Sequence, residues 1–189
     1  MVEANTRQQL LTAAERLVRT RGYSAISYAD LAEEVGIRKA SIHHHFPAKA
    51  DLGAALVSGY ADRFLHLLDE IDRKESHSVA RLERYASIYE ASVRDGMLCM
   101  CGMLVTEIQV LPDQVRSGVQ RFFAEQLAWL TRVLAEGAKR GELVLQNKPE
   151  IVAERTLAAL EGATLLAWGM GDPGVVARAI EDQIGSFKG

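Results

Sequence analysis

The chain has 189 residues, 48% of them hydrophobic and 25% charged, enough for one mid-sized domain or for a small domain beside a larger one. Its net charge of -3 does not by itself advertise nucleic-acid binding. There is no apolar run of about 18 residues to cross a membrane, Met1-Val-Glu-Ala-Asn-Thr6 lacks an apolar signal core, and Cys99 and Cys101 are too few and too close for a disulfide scaffold, so a reducing cytoplasm is the expected setting.

Helical periodicity dominates, strand alternation is nearly absent, and the expected class is all-α with about nine helices. Leu10, Ala14, Leu17 and Val18 form the stripe of a first helix, with Thr6 and Gln9 as its capping box and Gly22 as its end. Ser27 with Asp30 is a second capping box, opening a short helix that ends near Val35. A third covers about 39–45. Pro47 breaks the chain, and a long fourth helix carries Leu52, Leu56, Tyr60, Phe64, Leu68 and Ile71. After the polar loop Arg73–Ser78 comes a fifth, with Leu82, Tyr85, Tyr89 and Val93, stopped at Asp95-Gly96. A short apolar helix over about 98–110 follows. A long one starts at Pro112-Asp113 and ends at Gly141, another runs from Pro149 to near Gly171, and a last one occupies about 173–187.

Charge is unevenly spread. Residues 1–50 hold seven basic and five acidic side chains, +2, whereas the rest holds 15 basic and 20 acidic, -5. A locally basic module on an acidic body is a weak electrostatic footprint for nucleic acid. The spacing within 27–46 is more specific. Ala32 is small where a second helix must cross closely, Gly36 supplies the turn, and Ile42 plugs the pair into a core with Leu31, Val35 and Ile37. The exposed face of the second helix then bears Arg38, Lys39, Ser41, His43, His44 and His45, donors suited to phosphates and base edges in a major groove wide enough for a helix.

The run Gly22-Tyr23, Leu31-Ala32, Val35-Gly36-Ile37, Ala40-Ser41-Ile42-His43-His44-His45-Phe46-Pro47-Ala48-Lys49 and Leu52 closely resembles the DNA-binding domain of TetR/AcrR-type transcriptional regulators. The resemblance implies a helix-turn-helix domain over 1–48 and a helical effector-binding and dimerisation domain over 49–189. It implies a homodimer on double-stranded operator DNA, most simply a repressor released by a small molecule, with no membrane partner, cofactor, metal or catalytic residue. By position, Ser27 and Lys49 match phosphate contacts, Lys39, Ser41 and His44 match recognition-helix contacts, and Phe46 matches a core aromatic. His43 stands where the family usually has Tyr but can still donate to phosphate. Arg38 and Ala48 replace capping hydroxyl residues; each lost cap costs about 1 kcal/mol, and Arg38 offsets this if it reaches a phosphate or guanine. The DNA-contact set is therefore Ser27, Arg38, Lys39, Ser41, His43, His44 and Lys49. The three histidines invite a metal-site reading, but no partner lies at metal-finger spacing and consecutive helical residues diverge by about 100°.

Beyond residue 49 the expected effector-lining residues are Tyr60, Phe64, Tyr85, Tyr89, Cys99, Met103, Phe122 and Trp168, each of which, taken singly, is more simply plain core. Glu107 and Gln109 are polar on an apolar segment, suited to orienting a ligand or capping a buried donor. Cys99, Glu107, Leu111 and Arg116 are similar to the segment around the reactive cysteine of electrophile-sensing TetR-type repressors, and a helix N-terminus would favour a reactive thiolate. Thiol sensing at Cys99 is thus one alternative, and a helical adaptor without DNA binding is another. A helical enzyme is not expected: Glu-x-x-His pairs for a di-metal bundle, a phosphate loop and a partnered nucleophile are all missing. Ala158, Ala159, Gly162, Ala163 and Ala167, with Val175, Ala179 and Ile184, suit close helix packing, within the chain or across a dimer.

Overall fold

The computed structural model describes residues 2–187, with side chains from residue 5 onward. Among the described residues there are nine α-helices and no strand: α1 Val2–Arg21, α2 Tyr28–Val35, α3 Lys39–His45, α4 Lys49–Lys74, α5 Ser78–Arg94, α6 Met100–Val105, α7 Asp113–Lys139, α8 Pro149–Met170 and α9 Gly174–Gly185. They pack as two compact units. The first comprises the chain up to Asp62 with Met100–Phe122; the second comprises Arg63–Cys99 with the chain from Phe123 onward.

In the first unit, Leu10, Ala14, Leu17, Leu31, Ile42, Phe46 and Leu52 are fully or almost fully buried, so the α1, α2 and α3 stripes meet on one core. Val35 and Ile37 are only partly covered. Helix α2 opens on a reciprocal cap: the Ser27 hydroxyl accepts from the Ala29 and Asp30 amides, and the Asp30 carboxylate takes the Ser27 N–H at 2.6 Å. Gly36 closes it at φ +72°, a left-handed conformation that costs glycine little and other residues more.

Two helix ends differ from the sequence expectation. Helix α1 reaches back to Val2, so Thr6 lies inside it rather than capping it; nothing in Val2–Asn5 breaks a helix. Met1 and the side chains of residues 2–4, on which part of the signal-core reading fell, lie outside the described set. The expected 98–110 helix is only six residues long, because beyond Val105 the amides of Thr106, Glu107, Ile108 and Val110 each bond three residues back, tightening the chain into turns.

In the second unit, α5, α8 and α9 pack on one another. The buried face of α7 here includes Gln126, Trp129, Leu130, Val133 and Leu134, and that of α8 includes Ala153, Leu157, Leu160, Ala163 and Ala167. Asp72 of α4 accepts from Trp129 Nε1 at 3.1 Å and from Arg132 at 2.5 Å, both on α7, and pairs with Arg81 of α5 at 3.6 Å. Three helices are thereby pinned by one carboxylate.

Candidate functional site

The outer face of α3 carries Lys39, Ser41, His43 and His44, all exposed, with Arg38 exposed just before it and His45 half-buried. Ile42 beneath them is fully buried. Of the three histidines, His45 is therefore the one that packs most. His43 is held in place: its ring stands edge-on to Tyr28 at 4.8 Å and its Nδ1 lies 3.3 Å from the Pro47 carbonyl. Tyr28 in turn donates to the Phe46 carbonyl at 2.8 Å, tying the start of α2 to the end of α3.

The ends of these helices are built from different chemistry than a hydroxyl at every cap. Arg38 gives α3 no side-chain cap. Before α4, Asp51 reaches back to accept the Ala48 N–H at 2.9 Å, supplying half of a capping box in which Ala48 cannot take part. The two expected phosphate contacts outside α3 already have local partners. Ser27 donates its hydroxyl to Asp30 at 2.6 Å. Lys49 Nζ sits 4.5 Å over the Tyr23 ring and 3.5 Å from the Ser24 carbonyl, and burial lowers its pKa, opposed by the Glu107 carboxylate. Tyr23 donates to the Lys49 carbonyl at 2.9 Å, and burial first, then Tyr28 and nearby carboxylates, push its phenol up to about 12. It is a neutral donor under working conditions.

Of the two roles expected for Glu107, the structure shows the capping of backbone donors. Its Oε1 accepts the Tyr23 N–H at 2.7 Å and its Oε2 accepts the Ser24 N–H at 2.8 Å. These amides lie in the α1–α2 turn just after Gly22, which has φ +86°. A Cβ on residue 22 would collide with Glu107 Oε1. One carboxylate thus clasps the turn that leads into the helix-turn-helix.

The expected effector-lining residues fall into both units. Tyr60 and Phe122 face each other at 5.4 Å in the first unit, and Met103 is half-buried on α6. Phe64, Tyr85, Tyr89 and Cys99 are buried in the second, whereas Trp168 is 43% exposed on α8. Cys99 immediately precedes α6, and both cysteines are buried without forming a disulfide. Among the described residues, no group of three His, Cys, Asp or Glu could hold a metal ion, and no helix is long and apolar enough to cross a membrane.

The second unit contains a buried polar cluster. Tyr85 donates to Gln126 Oε1 at 2.7 Å, and Tyr89 reaches the same oxygen at 3.0 Å. The two hydroxyls are 3.2 Å apart, and Tyr89 is 3.4 Å from Glu161 Oε1. Trp129 stacks on Tyr85 at 5.4 Å, and Phe64 meets that ring edge-on at 6.2 Å. Burial raises the phenol pKa of both tyrosines and the Glu161 carboxyl, the last opposed by hydrogen bonds from Cys99 and Tyr89. Gln126 Nε2 is buried and has no partner among the described residues; leaving such a donor unpaired costs about 1–3 kcal/mol. The sequence signal for it was present: Gln126 falls in register with Val115, Val119, Phe122 and Val133 on the buried stripe of α7.

Comparison with known proteins places this architecture. Residues 10–56 match the model for bacterial regulatory proteins of the tetR family, and residues 78–182 match the tetracyclin repressor-like C-terminal domain. The chain belongs to the TetR family of transcriptional regulators. It is 32% identical to the transcriptional regulator AcuR of Cereibacter sphaeroides over 85% of this chain and 75% of that one. It is 26% identical to the HTH-type transcriptional repressor DhaR of Mycobacterium sp. over 87% and 83%. A crystal structure of a TetR-family regulator from Agrobacterium tumefaciens superposes with a TM-score of 0.96 at 34% identity, covering 99% of this chain and all of that one. The helix-turn-helix of the first unit is accordingly the DNA-binding element of a transcription regulator.

Proposed function

We propose that this protein is a homodimeric repressor that grips a near-palindromic operator and lets go when a small molecule enters its larger helical domain. The observation that carries the reading is the donor-rich face of α3, exposed over a fully buried Ile42 and held by the α2–Gly36 turn. In this reading 1–48 is the DNA-binding domain and 49–189 the effector and dimerisation domain. Each protomer lays α3 in one major groove, with Lys39, Ser41, His44 and Arg38 toward the bases and Ser27, His43 and Lys49 toward phosphates. For Ser27 and Lys49, DNA contact means exchanging the local partners each now holds.

Dimerisation is supported by the apolar surface of α8, where Leu165, Leu166, Trp168 and Met170 are 43–68% exposed. Apolar side chains crowded on one helix end mark an interaction surface. Repression is supported by the likeness to DhaR, itself called a repressor.

Selection from a random duplex library tests this directly. The expected winner is an inverted repeat bound by two protomers, with affinity falling steeply between about 50 and about 200 mM salt. Enrichment of no sequence, or no binding to any DNA at low salt, would sink the reading and favour a helical adaptor.

A further inference from the structure

Buried Gln126 presents a hydrogen-bond donor that no described residue uses. Its amide orientation follows from distance. The 2.7 Å contact from Tyr85 matches the commonest length of an O–H···O bond and is shorter than the commonest N–H···O bond. With Oε1 toward the tyrosines, both phenol protons have an acceptor at 2.7 and 3.0 Å. Reversed, they would be left with partners at 3.2 and 3.4 Å. Nε2 therefore points away from the hydroxyls with both of its N–H groups unpaired.

The surroundings restrict what could pair with them. Trp129, Tyr85 and Phe64 supply aromatic surface. The polar side chains hydrogen-bonded to Tyr85 and Tyr89 are one another, Gln126 and Glu161, and none of these is a cation. An anion would enter without a counter-charge beside the Glu161 carboxyl, and a cation would leave the amide donor unpaired.

We propose that the effector is a small uncharged carbonyl compound whose oxygen accepts from Gln126 Nε2 while its apolar part lies against Tyr85 and Trp129. This rests on the ligand-released repressor reading and names the chemistry of that ligand. Gln126 anchors the carbonyl. Tyr85 and Tyr89 position the amide by holding Oε1, and Glu161 steadies Tyr89.

Matched probes with and without a carbonyl isolate this interaction: acetophenone against ethylbenzene, and cyclopentanone against cyclopentane. Benzoate and benzylammonium report on charge, and benzyl alcohol on a ligand that donates as well as accepts. Binding to the protein is followed by quenching of tryptophan fluorescence and by thermal shift, and operator release by anisotropy of labelled DNA. At least one ketone should bind about tenfold more tightly than its hydrocarbon partner. Gln126→Leu, similar in volume and free of the buried donor, should fold and bind both members of the pair equally. Equal binding of ketone and hydrocarbon by the wild type overturns the proposal, and so does tighter binding of benzoate, benzylammonium or benzyl alcohol. A ketone preference that survives Gln126→Leu, or no binding by any probe, also overturns it and leaves the amide to a buried water. A Gln126-dependent ketone preference without operator release upholds the site and refutes the repressor-release reading instead.

Discussion

Removing the Glu107 carboxylate should loosen the helix-turn-helix without altering any DNA-facing side chain. The clasp consists of two charge-assisted bonds, to the Tyr23 amide at 2.7 Å and the Ser24 amide at 2.8 Å. Bonds of this kind contribute about 1.5–3 kcal/mol when sheltered. The Ser24 amide is exposed, so water replaces most of its share, whereas the part-buried Tyr23 amide keeps more of its value. Glu107→Ala should therefore cost about 2 kcal/mol, and Glu107→Gln, which retains one acceptor oxygen, about 1 kcal/mol. Urea denaturation would read this as a lower midpoint at unchanged slope. Gln109→Ala, at an exposed neighbour, is the control and should stay within about 0.5 kcal/mol of wild type. A double-mutant cycle with Gly22→Ala sharpens the test. That change imposes left-handed strain of about 1–2 kcal/mol in any background, plus a collision with Glu107 Oε1 that vanishes in Glu107→Ala. The two changes should couple by about 1 kcal/mol. An alanine variant as stable as the Gln109 control, or strict additivity with Gly22→Ala, would refute the clasp.

Burial raises the Glu161 pKa in the folded chain, so the folded state holds its proton after the unfolded chain has released it. The stability tied to this site is complete below the ordinary carboxylate pKa of about 4.3 and is lost as pH rises through the raised folded value. Glu161→Gln cannot ionise, so its thermal midpoint should gain on that of the wild type across this window; a constant difference would count against the burial argument. Lys49→Ala should flatten the log–log salt dependence of operator binding by about 0.9 per phosphate lost, about 1.8 for a dimer. An unchanged slope would mean that Lys49 does not meet the backbone. Gly53→Ala should destabilise by about 1–3 kcal/mol, because its Cβ would lie 2.8 Å from Val115 Cγ2 and 2.9 Å from Tyr23 Cε2. A neutral thermal shift would show that the α4–α7 contact yields easily.

The helix-turn-helix was legible because its information is local. Capping at Ser27–Asp30, the turn at Gly36 and the Leu31–Ile42 pairing all act within a few residues of one another, and each appears in the structure where its spacing placed it. Helix ends were less legible where a distant group or an unusual bond pattern decided them. The chain after Val105 tightens into three-residue turns, while Glu107 is held by amides 83 and 84 positions earlier. No periodicity reports such a contact. The buried cluster lies between these cases. Tyr85, Tyr89 and Cys99 could be picked out by residue type, but Gln126 was read past because it sits silently in an apolar stripe. A glutamine in register with buried valines has to be satisfied by something. Two tyrosines from α5 satisfy its oxygen, and its unpaired nitrogen is the feature on which the proposed effector chemistry turns.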